Sequence, residues 1–286
     1  MVLAVAGLLK EKGRHPAVVS RGYGRINESE TLVVSDGREI LTNTREGGDE
    51  PVLLGARLPA VPVVVGARRY EAAQFALQQF KPDTVILDDG FQHLRLKRNL
   101  DIVLVDAGDP FGNEKLFPAG ILRERIGSLK RAQAVVITRS DTSRDIEALK
   151  RRIRSITNAR VFTSVQRPVT LVDCRVHGLK PLSALRGATV IAFSGIARPA
   201  SFLAMLGSLG ATIAEACIYP DHYEYRESDL AAVYKKGAER RASMIVTTEK
   251  DAVRLRELKP DGIWALRIEL AMVEHGEWET FLLNSL

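Results

Sequence analysis

Short apolar runs, each closed by a polar or glycine-bearing turn, recur through the first half of the chain at residues 17–19, 31–34, 61–65, 85–87, 102–105 and 134–137. β-Branched residues dominate these runs and clean polar alternation is missing, as in strands buried on both faces of a parallel sheet. Helical periodicity fills several gaps, over residues 2–12 with Gly13 as the stop, 68–80 and 143–156. Between 161 and 176 the pattern changes to two strand-like runs around Arg167-Pro168 with no helix between them, which reads as a hairpin or hinge ribbon. A second series follows: strands at 189–193, 212–218, 244–248 and 264–270, and helices at 199–209, 228–241 and 277–286. Strands alternating with helices predict open α/β sheets. The expected division is a larger domain over 1–160, a ribbon over 161–176 and a smaller α/β domain over 177–286. In such sheets ligands collect at the carboxyl ends of the strands.

Composition narrows the class. The 286 residues are 45% hydrophobic and 27% charged, which excludes a disordered or fibrous chain. Two cysteines, Cys174 and Cys217, make no disulfide framework, and no Cys/His cluster suggests zinc. The longest apolar stretch, residues 58–67, is about half of the ~20 residues that a spanning helix needs. No basic segment with a cleavage site opens the chain, so the expectation is a soluble-type protein of a reducing compartment. Forty-one Lys+Arg against 35 Asp+Glu give a net charge of +6, clustered at 95–98, 123–131 and 150–154. A nucleic-acid groove pairs such clusters with stacking aromatics, but aromatics are only 6% here, so no nucleic-acid partner is expected. An anionic membrane surface or a phosphorylated substrate fits the charge, as do plain solvated helix faces.

The candidate chemistry sits just after the apolar runs. Asp88 and Asp89 follow the run at 85–87, where a Walker-B carboxylate holds Mg²⁺, although a strand-end Asp-Gly turn gives the same letters. Asp49, in Gly47-Gly48-Asp49-Glu50-Pro51, reads by itself as a helix N-cap. Ser20, Arg21 and Tyr23 follow another buried run and offer a hydroxyl and a guanidinium to an anion; a plain loop is the equal alternative. His222 lies in a Tyr-Pro-Asp-His-Tyr turn that would present the imidazole rigidly, although a lone histidine beside aromatics is more often structural than functional. His93 follows the Asp pair closely enough to meet the same ligand.

Taken together the motifs resemble one family, the tetraacyldisaccharide 4′-kinases of lipid A synthesis. The matching segments are SRGYGR at 20–25, GDEP at 48–51, DDGFQH at 88–93, FGN at 111–113, FPAGILRE at 117–124, FSGIARP at 193–199, YPDH at 219–222 and TTEKDAV at 247–253. The resemblance implies a P-loop-type parallel-sheet domain and a smaller α/β domain joined by a two-stranded hinge. It implies transfer of phosphate from ATP, with Mg²⁺, to the 4′-hydroxyl of tetraacyldisaccharide 1-phosphate, giving lipid IVA. The partners would be that lipid A precursor and the cytoplasmic face of a Gram-negative inner membrane, with the enzyme a monomer. Asp49 matches the family's catalytic aspartate and His222 its histidine partner, expected on different domains and brought together by hinge closure. Asp88 and Asp89 match the Mg²⁺ carboxylates. Ser20, Arg21, Tyr23, Gln92, His93, Asn113, Arg123 and Glu124 fall in segments expected to meet the substrate. Family members also carry an apolar N-terminal helix, a strand and a phosphate-binding glycine loop ahead of the helix at 2–12. No cofactor-binding residues are therefore assigned. The expectation is that Met1 is an internal methionine of a longer kinase; the alternative is an inactive family member that retains only head-group binding.

Overall fold

A computed structural model describes all residues from Met1 to Leu286. Helix α1 (Val2–Glu11) buries Val5, Ala6 and Leu9, and Gly13 (φ 76°) lets the chain turn into strand β1 (Pro16–Ser20). After strand β2 (Leu32–Ser35) come helices α2 (Thr44–Gly47) and α3 (Asp49–Arg57), then strand β3 (Val63–Val65). Helix α4 (Arg69–Phe80), strands β4 (Thr84–Leu87), β5 (Ile102–Asp106) and β6 (Ala134–Thr138), and helix α5 (Ile146–Ile156) continue the alternation. Strand β7 (Arg160–Asp173) leads to the short β8 (Leu179–Lys180), then β9 (Thr189–Ser194), α6 (Pro199–Ser208), β10 (Thr212–Ile218) and α7 (Glu227–Glu239). Strand β11 (Met244–Thr248), helix α8 (Glu249–Leu255), strand β12 (Ile263–Met272) and helix α9 (His275–Asn284) complete the α/β fold.

These elements form two compact units that interleave along the chain. One comprises residues 1–20, 68–167 and 270–286; the other comprises 21–67 and 168–269. This grouping differs from the sequential division expected at 160 and 177. Residues 21–67 belong with the later segment because α3 packs on α8, held by an Arg57–Glu249 ion pair of 2.6 Å between largely buried side chains. Of the hairpin or hinge ribbon expected around Pro168, the hairpin is not formed: the two runs make one 14-residue strand, β7. A proline pushes the residue before it to extended backbone, so Arg167-Pro168 continues a strand rather than reversing it.

In the first unit β1 pairs in parallel with β4, and β5, β6 and β7 pair in parallel in that order. Strand β6 shows why its run lacks polar alternation. Val135 and Ile137 face a core with Phe111, Leu149 and Ile153, while Ala134 and Val136 face another with Leu9, Phe162 and Trp278. Both faces are covered, so both are apolar. Helix α5 starts at Ile146 rather than 143, because the Asp145 carboxylate accepts the Ala148 N–H at 2.8 Å as its cap.

In the second unit the parallel order is β10-β9-β11-β12. Val190, Ala192 and Val246 pack under Phe202 and Leu206 of α6; Ile191, Phe193 and Ile263 pack under Leu230, Val233 and Leu255. The run expected as a parallel strand at 31–34 is β2, which pairs antiparallel with β3. Helices α2 and α3 lie between the two strands, yet β2 and β3 run antiparallel, and the burial of four- and three-residue runs does not encode direction.

Phe162 meets Trp278 edge to face at 5.2 Å and is fully buried. Phe162→Ala is expected to lower stability by ~3–5 kcal/mol, whereas Leu94→Ala at an exposed site changes it by less than ~0.5 kcal/mol. Denaturant midpoints of the two variants check this; equal midpoints contradict it.

Candidate active site

Asp49 opens α3. It is not the N-cap, as the sequence suggested: Gly48 holds that place with φ 88°, a backbone that side chains rarely adopt, and Asp49 is the first helical residue. Pro51 is tolerated because first-turn N–H groups have no intrahelical partner. The Asp49 carboxylate is thereby turned toward two groups of the same unit. Its Oδ2 accepts from Arg254 Nε at 2.6 Å and meets His222 Nδ1 at 2.9 Å. Neither contact uses Oδ1. The expectation that Asp49 and His222 lie on different domains and need closure to meet is corrected here: both belong to the second unit and are already in contact.

His222 sits in the turn after β10 with φ 59°, and its N–H donates to the Gly195 carbonyl at 3.2 Å. Packed tyrosines back the turn, Tyr219 tilted against Tyr223 and Tyr223 edge to face with Tyr225. Gly195 is required there, since a Cβ would lie 2.9 Å from the Pro220 carbonyl oxygen and 3.1 Å from Tyr223 Cβ. An ionised carboxylate only accepts, so Nδ1 carries the imidazole proton and donates it to Asp49. The 3.5 Å approach of Arg254 Nη2 to the same Nδ1 then sets two donors side by side and is a packing contact. The ring is half exposed, at 54%, with Asp49 at 16%.

Arg254 escaped the sequence reading, and its anchor Asp251 entered it only as part of the motif at 247–253, with no role assigned. They lie on α8, seven residues long, where the Thr248 hydroxyl accepts the Asp251 N–H at 3.2 Å and donates to Asp251 Oδ2 at 2.6 Å. Asp251 Oδ1 accepts from the Gly195 N–H at 2.9 Å, the Tyr225 hydroxyl at 2.9 Å and Arg254 Nη1 at 3.1 Å. Arg254 Nη1 also donates to the Gly195 carbonyl at 2.8 Å. Side-chain exposure is 0% for Asp251 and 3% for Arg254. Burial, and then the neighbouring Asp251 carboxylate, push the Tyr225 phenol well above its ordinary value, so it remains a neutral donor. The Thr-Glu-Lys-Asp spacing at 248–251 is the sequence signal that could have marked this helix start.

In the first unit the parallel register of β1 with β4 brings Ser20 and Asp88 out together at the strands' carboxyl ends. The Ser20 hydroxyl donates to Asp88 Oδ2 at 3.0 Å. Asp89, with φ 49°, pairs instead with Arg123 at 2.6 Å. Glu124 accepts from Arg131 and Gln92; the Arg131 hydrogen bond holds its carboxyl below the usual range despite partial desolvation. The Arg131 guanidinium lies 4.3 Å over the Phe91 ring, so residues 88–92 and 123–131 form one patch. His93 is held below its ordinary value by burial and then by the positive charges of Arg69, Arg98 and Arg95. Asn113 spends its amide within its own loop, donating to the Ala119 carbonyl at 2.9 Å. Arg21 pairs with Glu28 at 3.6 Å, and Tyr23 is exposed, both in the second unit.

The description tetraacyldisaccharide-1-P 4′-kinase attaches to a family model that matches residues 1–286. The chain belongs to that kinase family. A tetraacyldisaccharide 4′-kinase of Anaeromyxobacter dehalogenans (strain 2CP-C) is 44% identical over 255 residues, covering 88% of this chain and 67% of that protein. One of Syntrophus aciditrophicus (strain SB) is 39% identical over 295 residues, covering 99% of this chain and 79% of its own. A crystal structure described as the "apo" form of LpxK from Aquifex aeolicus in complex with ATP superposes with a TM-score of 0.80 at 30% identity, covering 99% of this chain and 82% of that one. The P-loop-type α/β expectation therefore stands as a fold shared with a solved member of the tetraacyldisaccharide 4′-kinase family.

No group of three or more His, Cys, Asp or Glu side chains forms a ready-made metal cage in this kinase-family chain. Mg²⁺ does not require one, because it takes one or two carboxylates and completes its shell with waters and phosphate oxygens. No helix is long and apolar enough to cross a membrane. The Glu124 result carries a pH prediction. A carboxyl held below its unfolded value (~4.3 for Glu) contributes stability that is complete above that value and lost as pH falls through the folded one. The stability difference between wild type and Glu124→Gln is therefore expected to be constant near neutrality and to vanish in acid, measured by urea unfolding at stepped pH. A difference that persists unchanged into acid contradicts it.

Proposed function

We propose that this chain transfers the γ-phosphoryl group of ATP to the 4′-hydroxyl of tetraacyldisaccharide 1-phosphate, giving lipid IVA at the cytoplasmic face of the inner membrane, as a monomer. The observation that carries the reading is the state of Asp49. Its Oδ2 is fixed by His222 and Arg254 while Oδ1 is left for a hydroxyl, and both Asp49 and His222 stand in motifs of a matched kinase family.

Phosphoryl transfer runs through a loose transition state, so the protein's work is alignment and charge neutralisation rather than deep deprotonation. Asp49 Oδ1 accepts the sugar hydroxyl's hydrogen bond, aims the oxygen and takes its proton as the bond to phosphorus forms. His222 Nδ1–H keeps the carboxylate turned toward that hydroxyl. Mg²⁺, when bound, neutralises the polyphosphate charge. Asp88, hydrogen-bonded by Ser20 at a strand's carboxyl end, is the carboxylate that would hold it, and Asp89 is engaged by Arg123. ATP as donor rests on the ATP complex named for the Aquifex relative. Gln92, Arg123 and Glu124, in the patch that follows β4, are assigned with Ser20, His93 and Asn113 of the same unit to the phosphorylated head group. The +6 charge favours an anionic lipid surface.

The native protein isolated from its own cells tests this with γ-labelled ATP and the tetraacyldisaccharide 1-phosphate in detergent. Label is expected in a 4′-phosphate. Asp49→Asn and His222→Ala, introduced at the native locus, are each expected to lower kcat by ~10²-fold or more, the scale of general base catalysis. Binding of the disaccharide without label transfer, or a near-wild-type rate in Asp49→Asn, overturns the reading.

A further inference from the structure

We infer that Arg254, anchored by Asp251, is a positioning residue for phosphoryl transfer: it locks the Asp49 carboxylate in the rotamer that leaves Oδ1 open to the acceptor hydroxyl. The inference rests on the reading of Asp49 as the acceptor of the hydroxyl proton.

The geometry is that of a buried clamp. Arg254 Nε reaches Asp49 Oδ2 at 2.6 Å, the shorter of the two contacts on that oxygen. The other donor, His222, is half exposed on a turn, whereas Arg254 is 3% exposed on a helix. A guanidinium is planar with donors at fixed angles, so fixing one edge fixes the direction of the other. Here Nη1 is fixed twice, by the Gly195 carbonyl and by Asp251 Oδ1, which leaves Nε aimed at Asp49. Asp251 is itself fixed by Thr248, Tyr225 and the Gly195 amide.

Two further ion pairs set the helix carrying Asp49 against the one carrying Arg254. Glu50 pairs with Lys250 at 2.5 Å, and Arg57 with Glu249 at 2.6 Å. Glu249 also accepts from Arg267 at 2.8 Å. The contacts at both ends of α3 limit its rotation, and Arg254 sets the carboxylate within what freedom remains. A buried arginine between two carboxylates is a poor way to gain stability, since desolvation offsets the attraction. Its yield is geometry: misplacement of a reacting group by about 1 Å costs on the order of 10²-fold in rate.

The test uses the native protein with Arg254→Lys, Arg254→Met and the double variant Arg254→Met with Asp251→Asn. The double variant removes both buried charges at once. The side-chain carbonyl oxygen that Asp251→Asn retains can still accept from Gly195 and Tyr225, so this variant keeps the question answerable if Arg254→Met alone fails to fold. The expected result is a fall in kcat of ~10–10²-fold for Arg254→Met and for the double variant, with KM for the disaccharide changed by less than about twofold. Arg254→Lys is expected to fall between these and wild type, because charge is kept and the fork is lost. In an Asp49→Asn background Arg254→Met is expected to change kcat no further, as for residues acting as one unit. A rise in KM with kcat intact, a loss that multiplies onto Asp49→Asn, or wild-type kcat in the double variant overturns the inference. If Asp49→Asn itself turns over normally, the reading of Asp49 fails first, and the two failures are told apart.

Discussion

A 2.6 Å ion pair between a helix's first residue and an arginine on a neighbouring helix organises the second unit's chemistry. Asp49 lies far in sequence from Arg254 and His222; packing of α3 on α8 brings it to Arg254, and the turn after β10 brings His222 to the same carboxylate. That packing is itself ionic at both ends of α3, through Glu50–Lys250 and Arg57–Glu249. Exposed pairs of this kind contribute little to stability one by one. The Arg57–Glu249 and Arg254–Asp49 pairs are both largely removed from water, and breaking one partner there strands a charge. In the second unit these buried pairs thus lie where the orientation of one carboxylate depends on them.

Gly195 links that arrangement to the β-sheet. Its amide is held by Asp251, its carbonyl by Arg254 and by the His222 N–H, and its missing side chain gives room to the 219–223 turn. One residue at the end of β9 therefore sets the position of both donors to Asp49. Ligand sites at the carboxyl ends of parallel strands are the general rule for open α/β sheets. In this unit the rule is carried out by backbone hydrogen bonds to side chains from α8 and from the turn after β10.

Much of this was legible in the sequence. Runs such as 134–137 and 189–193 state their own burial, since apolar residues on both faces mean that both faces are covered. The motif positions Asp49, His222 and Asp88 all lie at element ends, as expected of residues that do chemistry. What was not legible has physical reasons. Arg254 lies on a helix of seven residues, too short for periodicity to declare, and its partners depend on long-range packing. Strand direction for β2 and β3 is not written in apolar content, and Arg167-Pro168 permits extended chain as readily as a turn. The Asp49 side chain reads as a cap from local letters because Asp at a helix start usually is one; Gly48 displaced it by one residue, which released the carboxylate for other partners.

The arrangement of Asp49 is the claim on which the rest stands, and the protonation of the His222 ring reports it directly. In a ¹H–¹⁵N spectrum of the imidazoles at a pH well above the ordinary histidine value of ~6.5, His222 is predicted to carry its proton on Nδ1, and to lose that preference in Asp49→Asn. A His222 ring protonated on Nε2 with Nδ1 bare, unchanged by Asp49→Asn, would contradict the account, because the carboxylate would then have no imidazole donor to hold it.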